Sequence, residues 1–412
     1  MARSRGESRA ARRRRSIAPE QADARIDGIR RHWVPSRTAH ENLDRPVDPD
    51  LRVTGDFPYR KLSLVVRGEE VSSLGVVDFQ QQIGSQAVRM GGLAGVGTHR
   101  DHRFQGYSGR VMESALRWMR AEGYDTSMLY GIPCFYPRFG YTQAFPHVEL
   151  SVAVRDAEKL APRGYRLVGF ARRHLRAVLR MYHDNNAGRT GPTRREAKHW
   201  RPFRKGVHFG SKAVCKVALD ARGRPVGYFV YDSEHLTATI IEAGFATTKV
   251  FPDILRAAAR LAVKYRLERI KLLLPEDDAF VAFCLPLGMR KEVSYRRDGG
   301  AQIRLVNIPS ALKKVSADLG PRTSGRGRLT LRTNLDDVGL SWSGGRLRVG
   351  PPRADGPQAR LPQWALAQLL YGYRSAAALA AAGTLRAPRG AVATLEAMFP
   401  TRPHFHYAVD HF

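Results

Sequence analysis

The sequence predicts an α/β (α+β) chain in which two mixed, mostly antiparallel sheets, each flanked by helices, are followed by a smaller α+β unit. Three observations lead to this prediction. Residues 60–145 contain short strand-like segments separated by turn residues, then an amphipathic helix and a further strand, an order typical of an antiparallel meander that leads into a helix. Residues 165–306 repeat that order in outline, and the composition changes again after Asn307.

The first series consists of apolar, β-branched runs with Gly- and Glu-containing turns between them. Its predicted strands are 62–66, 71–79, 86–98 and 128–132. The helix predicted at 108–121 has apolar side chains at helical spacing on one face, and these are Val111, Ala115, Leu116 and Met119. Residues 148–154 are expected to form a closing strand and 155–164 a linker.

The second and third series are predicted in the same way. The second has strands at 213–219, 226–231, 237–243 and 270–274, and helices at 171–183, 251–265 and 277–285. The third has strands at 329–333, 338–343 and 346–349, and helices at 309–319, 362–371, 374–383 and 389–398. We therefore expect a basic tail at 1–20 and domains at 21–155, 156–306 and 307–412.

The chain is strongly basic, since 68 Lys and Arg residues against 38 Asp and Glu residues give a net charge of +30. Such a charge favours an anionic partner: nucleic acid, an anionic membrane surface or a polyphosphate cofactor. A coding bias toward arginine explains the same count, because most arginines are scattered along the sequence. The tail at 1–20 is expected to be disordered and solvated, with nucleic-acid binding as the alternative.

The three cysteines, Cys134, Cys215 and Cys284, show neither disulfide nor metal-ligand spacing, which is typical of a reducing cytoplasm. No apolar run is long enough to predict a transmembrane helix. The basic start is not followed by the apolar segment of a secretory signal. A cytoplasmic location is therefore expected.

The most informative motif is a turn at the start of the predicted helix 108–121. In Arg103-Phe104-Gln105-Gly106-Tyr107-Ser108, small residues stand where the backbone must approach a ligand closely. The unpaired amides and the positive dipole end of a helix attract an anion there, and Arg100 and Arg103 would add charge-assisted hydrogen bonds. Alone, the pattern also fits an ordinary strand–turn–helix.

This turn resembles the cofactor motif Gln/Arg-x-x-Gly-x-Gly/Ala of the GNAT acetyltransferase superfamily, with Ser108 in place of the final Gly or Ala. The longer strings around it, Gly95 to Gly106 and Tyr130 to Tyr141, are similar to the enhanced intracellular survival (Eis) type of GNAT protein. That resemblance implies tandem GNAT folds, the second without a cofactor loop, and a C-terminal domain similar to sterol carrier protein. It also implies acetyl-CoA as co-substrate, an aminoglycoside-like or lysine-like amine acceptor, and a homo-oligomer, hexameric in that family.

The resemblance assigns the cofactor contacts to two stretches of chain. Backbone groups of residues 96–98 would orient the thioester and the pantetheine arm, and the loop 103–109 would hold the pyrophosphate. The cofactor-binding residues expected in these stretches are Val96, Gly97, Thr98, Arg103, Phe104, Gln105, Gly106, Tyr107, Ser108 and Gly109, and Gly131 and Ile132 are expected to add contacts from the end of the next strand.

Acetylation of an amine needs a proton acceptor for the ammonium and a proton donor for the departing thiolate. Tyr136 matches the GNAT tyrosine that acts as the acid, and its ordinary pKa of about 10 keeps it protonated at neutral pH. The Eis type uses its C-terminal carboxylate as the base, and Phe412 takes that place here. The alternatives are a packing aromatic at 136 and a terminal aromatic that only seals the core.

Other chemistries and functions rank lower. His404, His406 and His411 lie close in sequence, but no carboxylate or cysteine stands at ligand spacing, so no metal is expected. Cys134 is expected to be a structural thiol, because direct transfer needs no acyl-enzyme. The rival functions are a nucleic-acid-associated basic protein and a lipid carrier that acts through its C-terminal domain.

Overall fold

The structure is a computed structural model of the chain. It describes residues 41–204, 206–207, 211–234, 237–295 and 299–412. The basic tail predicted at 1–20 lies outside the described residues. Across those described ranges, no helix has the length and hydropathy that crossing a bilayer requires.

A seven-stranded sheet forms the first unit. Its strands are β1 Leu51–Thr54, β2 Tyr59–Val66, β3 Glu69–Ile83, β4 Gln86–Thr98, β5 Thr126–Gly131, β6 Thr142–Gln143 and β14 Gly300–Leu305. They lie in the order β1-β2-β3-β4-β5-β14-β6. Only the pair β4–β5 in this sheet is parallel, because helix α1, Tyr107–Ala121, forms the crossover between them.

Helix α1 packs on one face of this sheet through the predicted apolar stripe. The buried members of the stripe are Val111, Met112, Ala115, Leu116 and Met119. Met119 lies directly over Gly91 of β4, where a Cβ would come within 2.6 Å of its sulfur. The predicted helical face is thus confirmed, and its burial fixes the helix that starts at the candidate cofactor loop.

A second seven-stranded sheet follows. Its strands are β7 His147–Ala153, β8 Arg166–Gly169, β9 Ala213–Leu219, β10 Pro225–Asp232, β11 Ala238–Phe245, β12 Arg269–Leu272 and β13 Arg290–Ser294. Their order is β13-β7-β12-β11-β10-β9-β8. The helices of this unit are α2 Val154–Glu158, α3 Leu175–Asn185, α4 Phe251–Lys264 and α5 Ala279–Cys284. Here too the strands before and after the main helix, β11 and β12, are parallel.

Two strands pair in a different sheet from the one that the predicted domain boundaries imply. The closing strand expected at 148–154 in the first unit is β7, and it pairs with β12 and β13 of the second sheet. Conversely, β14 lies before the predicted boundary at 306 but pairs with β5 and β6 of the first sheet. Strand pairing over such sequence distances leaves no local pattern, so the sequence cannot show this exchange.

The third unit contains helix α6 Ile308–Leu319 and a four-stranded sheet. The strands are β15 Arg326–Arg332, β16 Val338–Ser343, β17 Arg346–Gly350 and β18 Gln358–Arg360, in the order β17-β16-β15-β18. The remaining helices are α7 Gln363–Leu370, α8 Ala376–Ala381 and α9 Arg389–Met398. Leu331 and Leu366 of this unit lie in one continuous apolar core with Leu62 of the first sheet.

After α9 the chain returns toward the first two sheets. His404 forms a parallel bridge with Thr190, and the amide of Phe405 donates to the carbonyl of Thr190 at 2.8 Å. The segment ends with the Phe412 ring on the first sheet. Its path therefore connects all three units of the molecule.

Candidate active site

The parallel strands β4 and β5 pair over only part of their length. Pairing runs from Met90 opposite Thr126 to Leu93 opposite Leu129. Beyond this point the described part of β4 pairs with β3 alone, after a bulge at Gly95 whose φ of +59° favours a residue without a Cβ. The two strands part, and the edge of β4 formed by residues 96–98 borders the resulting gap.

The predicted cofactor loop follows β4 at the mouth of this gap. Gly106, with φ +80°, precedes helix α1, and its carbonyl accepts hydrogen bonds from the amides of Gly109 and Arg110 at 3.0 and 3.1 Å. No side chain caps this end of the helix, so its first amides are left for solvent or a ligand. A Cβ at Gly106 or Gly109 would meet nothing within 4 Å, which leaves room for a ligand.

The remaining predicted loop residues surround this helix start. Arg103, Phe104 and Gln105 are exposed, whereas Tyr107 and Ser108 are half-buried. Across the gap, β5 ends at Gly131, and the side chain of Ile132 beyond it is 65% exposed. The structure thus brings the two predicted cofactor-binding stretches to one end of the same gap.

An ion-paired arginine that the sequence analysis missed holds the first turn of α1 in place. Arg110 contacts Asp48 and Asp50 at 2.6 Å each. Desolvation acts against the charge on Asp48, but hydrogen bonds from Arg110 and from the Asp50 amide outweigh it and lower the Asp48 pKa. These carboxylates lie more than fifty residues before Arg110, so no local spacing marks them.

Tyr136 starts a short 3-10 helix, Tyr136–Phe139, just after β5. Its ring packs on Gly131, where any Cβ would overlap it. Desolvation raises the pKa of Tyr136 above its ordinary value. The residue is half-buried, and among the described residues no hydrogen-bond partner of its hydroxyl is found. The hydroxyl therefore keeps its proton and is open to a ligand.

Phe412 packs on the same pair of strands. Its ring lies over Gly92 of β4, where a Cβ would come within 2.8 Å of three ring carbons. The ring centroid is 5.4 Å from that of Phe79 and 5.7 Å from that of Tyr130. The last residue of the sequence thus lies at the point where β4 and β5 begin to part.

Tyr136 and Phe412 lie on opposite faces of the sheet. Successive side chains of a strand point to opposite faces. Tyr130, which contacts Phe412, and Gly131, which contacts Tyr136, are consecutive residues of β5. A reacting group held in the gap would have the tyrosine on one side and the end of the chain on the other.

Tyr130 is a second residue of this site that the sequence analysis missed. Its ring centroid lies 4.0 Å from that of His411. Desolvation, and then the charge of Asp410, raise its pKa well above the ordinary value, although 37% of the residue is still exposed. Such a side chain lines a cleft rather than a core, and alternation along β5 is the signal that marks it.

A buried charge network holds the C-terminal segment beside this site. Arg195 contacts Asp410 at 2.8 Å and Glu242 of β11 at 2.7 Å, and all three side chains are buried. Tyr228 donates to Glu242 at 2.7 Å. Desolvation acts against the charge of Arg195, but the two carboxylates outweigh it and raise the Arg195 pKa well above its ordinary value. Asp410, the member of this network that lies in the C-terminal segment, is two residues before Phe412.

The candidate metal ligands have other contacts. Nδ1 of His404 lies 2.9 Å from the carbonyl of Arg402, and Nδ1 of His406 lies 3.1 Å from that of Gly191. The His411 ring packs at a tilt against the ring of Tyr130. Within the described ranges, no group of three or more His, Cys, Asp or Glu side chains is arranged to hold a metal ion. Cys134 is exposed, with φ +63°.

The helix start of the second unit differs from that of the first. A short 3-10 helix, Thr248–Val250, precedes α4, and the hydroxyl of Thr247 accepts a hydrogen bond from the Lys249 amide. Val250 packs on Gly227 of β10. The Lys249 amide of this turn has a side-chain partner, although α4 itself, like α1, has no side-chain cap. That this unit binds no cofactor stays a prediction.

Comparison with known families identifies two parts of the chain. Residues 54–144 match the acetyltransferase (GNAT) domain, and residues 310–406 match the sterol carrier protein domain. The chain is therefore an enzyme of the acyltransferase class with a GNAT acetyltransferase domain at its β4–β5 gap. No curated protein sequence matches the chain significantly.

Solved structures share the fold over most of the chain. A probable N-acyltransferase from Enterococcus faecalis superposes with a TM-score of 0.70 at 15% identity, covering 85% of this chain and 89% of that one. A GCN5-related N-acetyltransferase from Anabaena variabilis gives 0.68 at 18% identity, with coverages of 86% and 90%. Eis1 from Mycobacterium abscessus gives 0.60 at 17% identity, with coverages of 84% and 89%. The expected Eis-type architecture is thus confirmed at the level of the fold.

Proposed function

We propose that this protein is an acetyl-CoA-dependent N-acetyltransferase that transfers the acetyl group directly to a primary amine. The observation that carries the proposal is the gap between β4 and β5. It has an uncapped helix start at its mouth, Tyr136 on one face and Phe412 on the other. A thioester held in such a gap is accessible to an acid from one side and to an amine from the other.

The cofactor would bind along β4 and the loop after it. Amides at the start of α1 would accept the pyrophosphate, with Arg103 supplying charge. The unpaired edge of residues 96–98 would pair with the amide groups of the pantetheine arm, which ends near the bulge at Gly95. Arg110, through Asp48 and Asp50, keeps that helix start in position.

Tyr136 would serve as the acid. The amine attacks the acetyl carbon, a C–N bond forms, and the C–S bond then breaks. The departing thiolate of coenzyme A, whose conjugate thiol has a pKa of about 8.5, takes the hydroxyl proton of Tyr136. Because desolvation raises the Tyr136 pKa, the hydroxyl is protonated when each reaction cycle begins, and solvent restores its proton afterwards.

The α-carboxylate that Phe412 carries in this sequence would serve as the base. An amine arrives as an ammonium of pKa about 10.4 and must lose a proton before it attacks. An ordinary α-carboxyl is a weak base for this step, but removal from water raises a carboxyl pKa. The ring contact with Gly92 and the Arg195–Asp410 pair hold this end of the chain at the gap.

The surroundings of Phe412 favour a lysine-like acceptor over an aminoglycoside. Tyr130 and Phe79 are aromatic neighbours of Phe412, and desolvation lowers the pKa of the neighbouring His406, which keeps it neutral. Such a surface suits an amine on an apolar stem. A polycation would need several carboxylates, and the chain as a whole carries +30.

Acetyl-CoA turnover with a panel of amines tests the base and the acceptor together. The panel holds a lysine peptide, a small alkylamine and an aminoglycoside. A variant extended by one glycine beyond Phe412 moves the carboxylate, and we expect its turnover to fall on the order of a hundredfold. The matched control is Phe412→Tyr, which keeps the carboxylate, the ring and the length. Undiminished turnover in the extended variant would contradict the terminal base.

We further propose a cytoplasmic enzyme that works as a homo-oligomer, as the Eis resemblance implies. Light scattering of the purified full chain measures its mass. A mass of about 46 kDa, that of one chain, would contradict the oligomer.

The sterol carrier protein domain carries a second candidate function, binding of a lipid-like anion. A cavity of about 810 Å³ in this unit is lined by the apolar residues Leu361, Pro362 and Trp364 and by Arg332, Asp337, Arg360 and Arg386. Mass spectrometry of an organic extract of the purified protein tests this function. If the extract contains no lipid in an amount stoichiometric with the protein, the lipid-binding function is contradicted and acetyl transfer is the only proposed function that remains.

A further inference from the structure

The sheet of the third unit has one apolar face and one arginine-rich face. On the buried face, Leu329, Leu340 and Leu347 belong to the common core. On the other face, side chains alternate out of the core with the period of two that a strand imposes. The arginines exposed there are Arg326 and Arg328 on β15 and Arg346 and Arg348 on β17.

Strand register places these arginines in two matched rows. Arg326 pairs with Ser343, which pairs with Arg346, and Arg328 pairs with Ser341, which pairs with Arg348. The central strand β16 thus contributes only small side chains to a floor that arginines flank on both sides. We name this surface the arginine trough and define it as Arg326, Arg328, Arg346, Arg348, Ser341 and Ser343.

The trough has regular dimensions and continues into a cavity. The two arginine-bearing strands are about 10 Å apart, and successive rows are about 7 Å apart along the strands. A cavity of about 580 Å³ lies over Gly339, Ser341 and Gly350. At one end of this cavity, the turn that contains Arg353 folds back toward β15. The Arg353 amide donates a hydrogen bond to the hydroxyl of Thr330 at 3.2 Å.

Little negative charge balances the trough. Arg328 contacts Asp355 at 2.5 Å. Within the part of the chain that the structure describes, Arg326, Arg346 and Arg348 have no ion pair. The guanidinium groups that face each other across the floor carry the same charge and repel, so an anion bound between them would stabilise both rows.

We propose that the arginine trough binds the phosphate backbone of single-stranded nucleic acid. Each row presents its arginines and a serine hydroxyl to one phosphate, and Arg328 is shared with Asp355. The row spacing is about twice the 3.4 Å rise of a stacked strand, which suits an extended strand. This binding site is separate from the β4–β5 gap and does not rest on the acetyl-transfer proposal.

The shape and composition of the trough favour nucleic acid over a membrane. Membrane-binding surfaces insert Trp, Phe or Leu side chains between lipid headgroups, whereas the outward-facing residues of the trough are arginine and serine. A groove walled on two sides also fits a chain better than it fits a flat lipid surface. Because no aromatic side chain lies in the trough to stack on bases, binding should be independent of sequence.

Fluorescence anisotropy of a labelled oligothymidylate, titrated with the full chain over a salt series, tests the proposal. Native protein should bind with a steep salt dependence. In the triple variant Arg326→Gln, Arg346→Gln, Arg348→Gln, the two phosphates lose the three guanidinium groups that have no ion pair. The slope of log K against log salt should then fall by about 1.4, and affinity at about 50 mM salt should fall on the order of a hundredfold.

The matched control removes three exposed arginines from the second unit by Arg166→Gln, Arg176→Gln and Arg222→Gln. It changes the net charge equally and should leave most of the affinity. Ser341→Glu, which puts a negative charge on the floor, should weaken binding while all four arginines remain. Thermal melting of each variant shows that it is folded.

Three results would overturn the proposal. One is an equal loss of affinity in both triple variants, which would assign binding to overall charge. Another is loss of binding on deletion of residues 1–15 with no effect of the trough variant, which would assign it to the tail. The third is trough-dependent binding to phosphatidylserine vesicles without binding to the oligonucleotide, which would make the surface a membrane contact.

Discussion

The packing of Tyr136 on Gly131 fixes the position of the tyrosine hydroxyl and raises the pH at which that hydroxyl ionises. The glycine lets the ring approach the end of β5 closely, and the resulting desolvation raises the tyrosine pKa. A group whose pKa is raised above about 10 stays protonated through neutral and mildly alkaline pH. Ionisation of Tyr136 should therefore not limit turnover in that range.

Replacing Tyr136 by Phe should lower turnover on the order of a hundredfold or more, because the thiolate loses its proton donor. The ring and its contact with Gly131 remain, so coenzyme A affinity should change little. Steady-state kinetics and calorimetric titration with coenzyme A measure the two effects. Loss of coenzyme A binding with unchanged turnover at saturation would assign Tyr136 a packing role.

Neighbouring glycines of β4 allow a matched test of Phe412. Gly92→Ala would bring a Cβ within 2.8 Å of the Phe412 ring and displace the end of the chain. Turnover should fall on the order of a hundredfold, with little change in melting temperature because a terminal side chain can move. Gly91→Ala crowds Met119 on the opposite face and is the control. Equal kinetic losses in both would contradict the role of Phe412.

At the scale of elements, the start of helix α1 is held by two carboxylates, Asp48 and Asp50, from the segment that precedes strand β1. Arg110 projects from the first turn of the helix toward Asp48 and Asp50. Side-chain hydrogen bonds to Asp48 and Asp50 raise the pKa of Arg110 above its ordinary value. The contact fixes a helix terminus that has no cap of its own.

The lowered pKa of Asp48 makes this contact dependent on pH. Its stabilisation is fully present above the ordinary carboxyl pKa of about 3.9 and disappears as the pH falls through the lower value of the folded state. Asp48→Asn should lower the melting temperature by roughly 2 °C at neutral pH. That difference should shrink as the pH falls below about 3.9 and disappear only below the lower pKa of the folded state.

Thermal melts of both proteins over this pH range measure the effect. The control is Asp56→Asn, because Asp56 is exposed and no ion pair is found for it among the described residues. A difference between native protein and Asp48→Asn that stays constant down to pH 3 would contradict the assignment.

At the scale of the whole molecule, the exchange of strands and the common core join the units. β14 supplies a partner to both β5 and β6, and Ile303 and Leu305 of β14 are buried in the core that the first and third units share. The Arg195–Asp410 pair ties the C-terminal segment to the second unit. The gap thus depends on all three units.

A fragment of residues 41–146 should therefore not fold alone. It keeps the GNAT residues of the gap but exposes the edge of β5 and the core surface that β14 and helix α6 cover. Circular dichroism and thermal melting of the purified fragment test this. Co-expression with residues 147–412 should recover a folded complex. A cooperative melt of the isolated fragment would contradict the interdependence.

Much of the fold was open to prediction because it leaves local patterns. The stripe of Val111, Leu116 and Met119 marked helix α1, and apolar runs between turn residues marked β15 to β17. The strands β1, β6, β8, β13, β14 and β18 were missed. Four of them, β1, β6, β8 and β18, have only two to four residues, which carry too little periodicity. The arginines of the third sheet appeared scattered in sequence, since rows across strands become visible only with the register.

The sequence by itself determined the class of fold, the glycine turn that begins helix α1, and the tyrosine one strand later, because each depends on the conformational preference of residues near in sequence. Only the tertiary structure decided that Phe412 meets Gly92, that Arg195 holds Asp410, and that β7 and β14 change sheets. These contacts join residues that are up to about 320 positions apart in the sequence. Pairing over such distances is determined by burial and strand register in the whole molecule rather than by any local pattern.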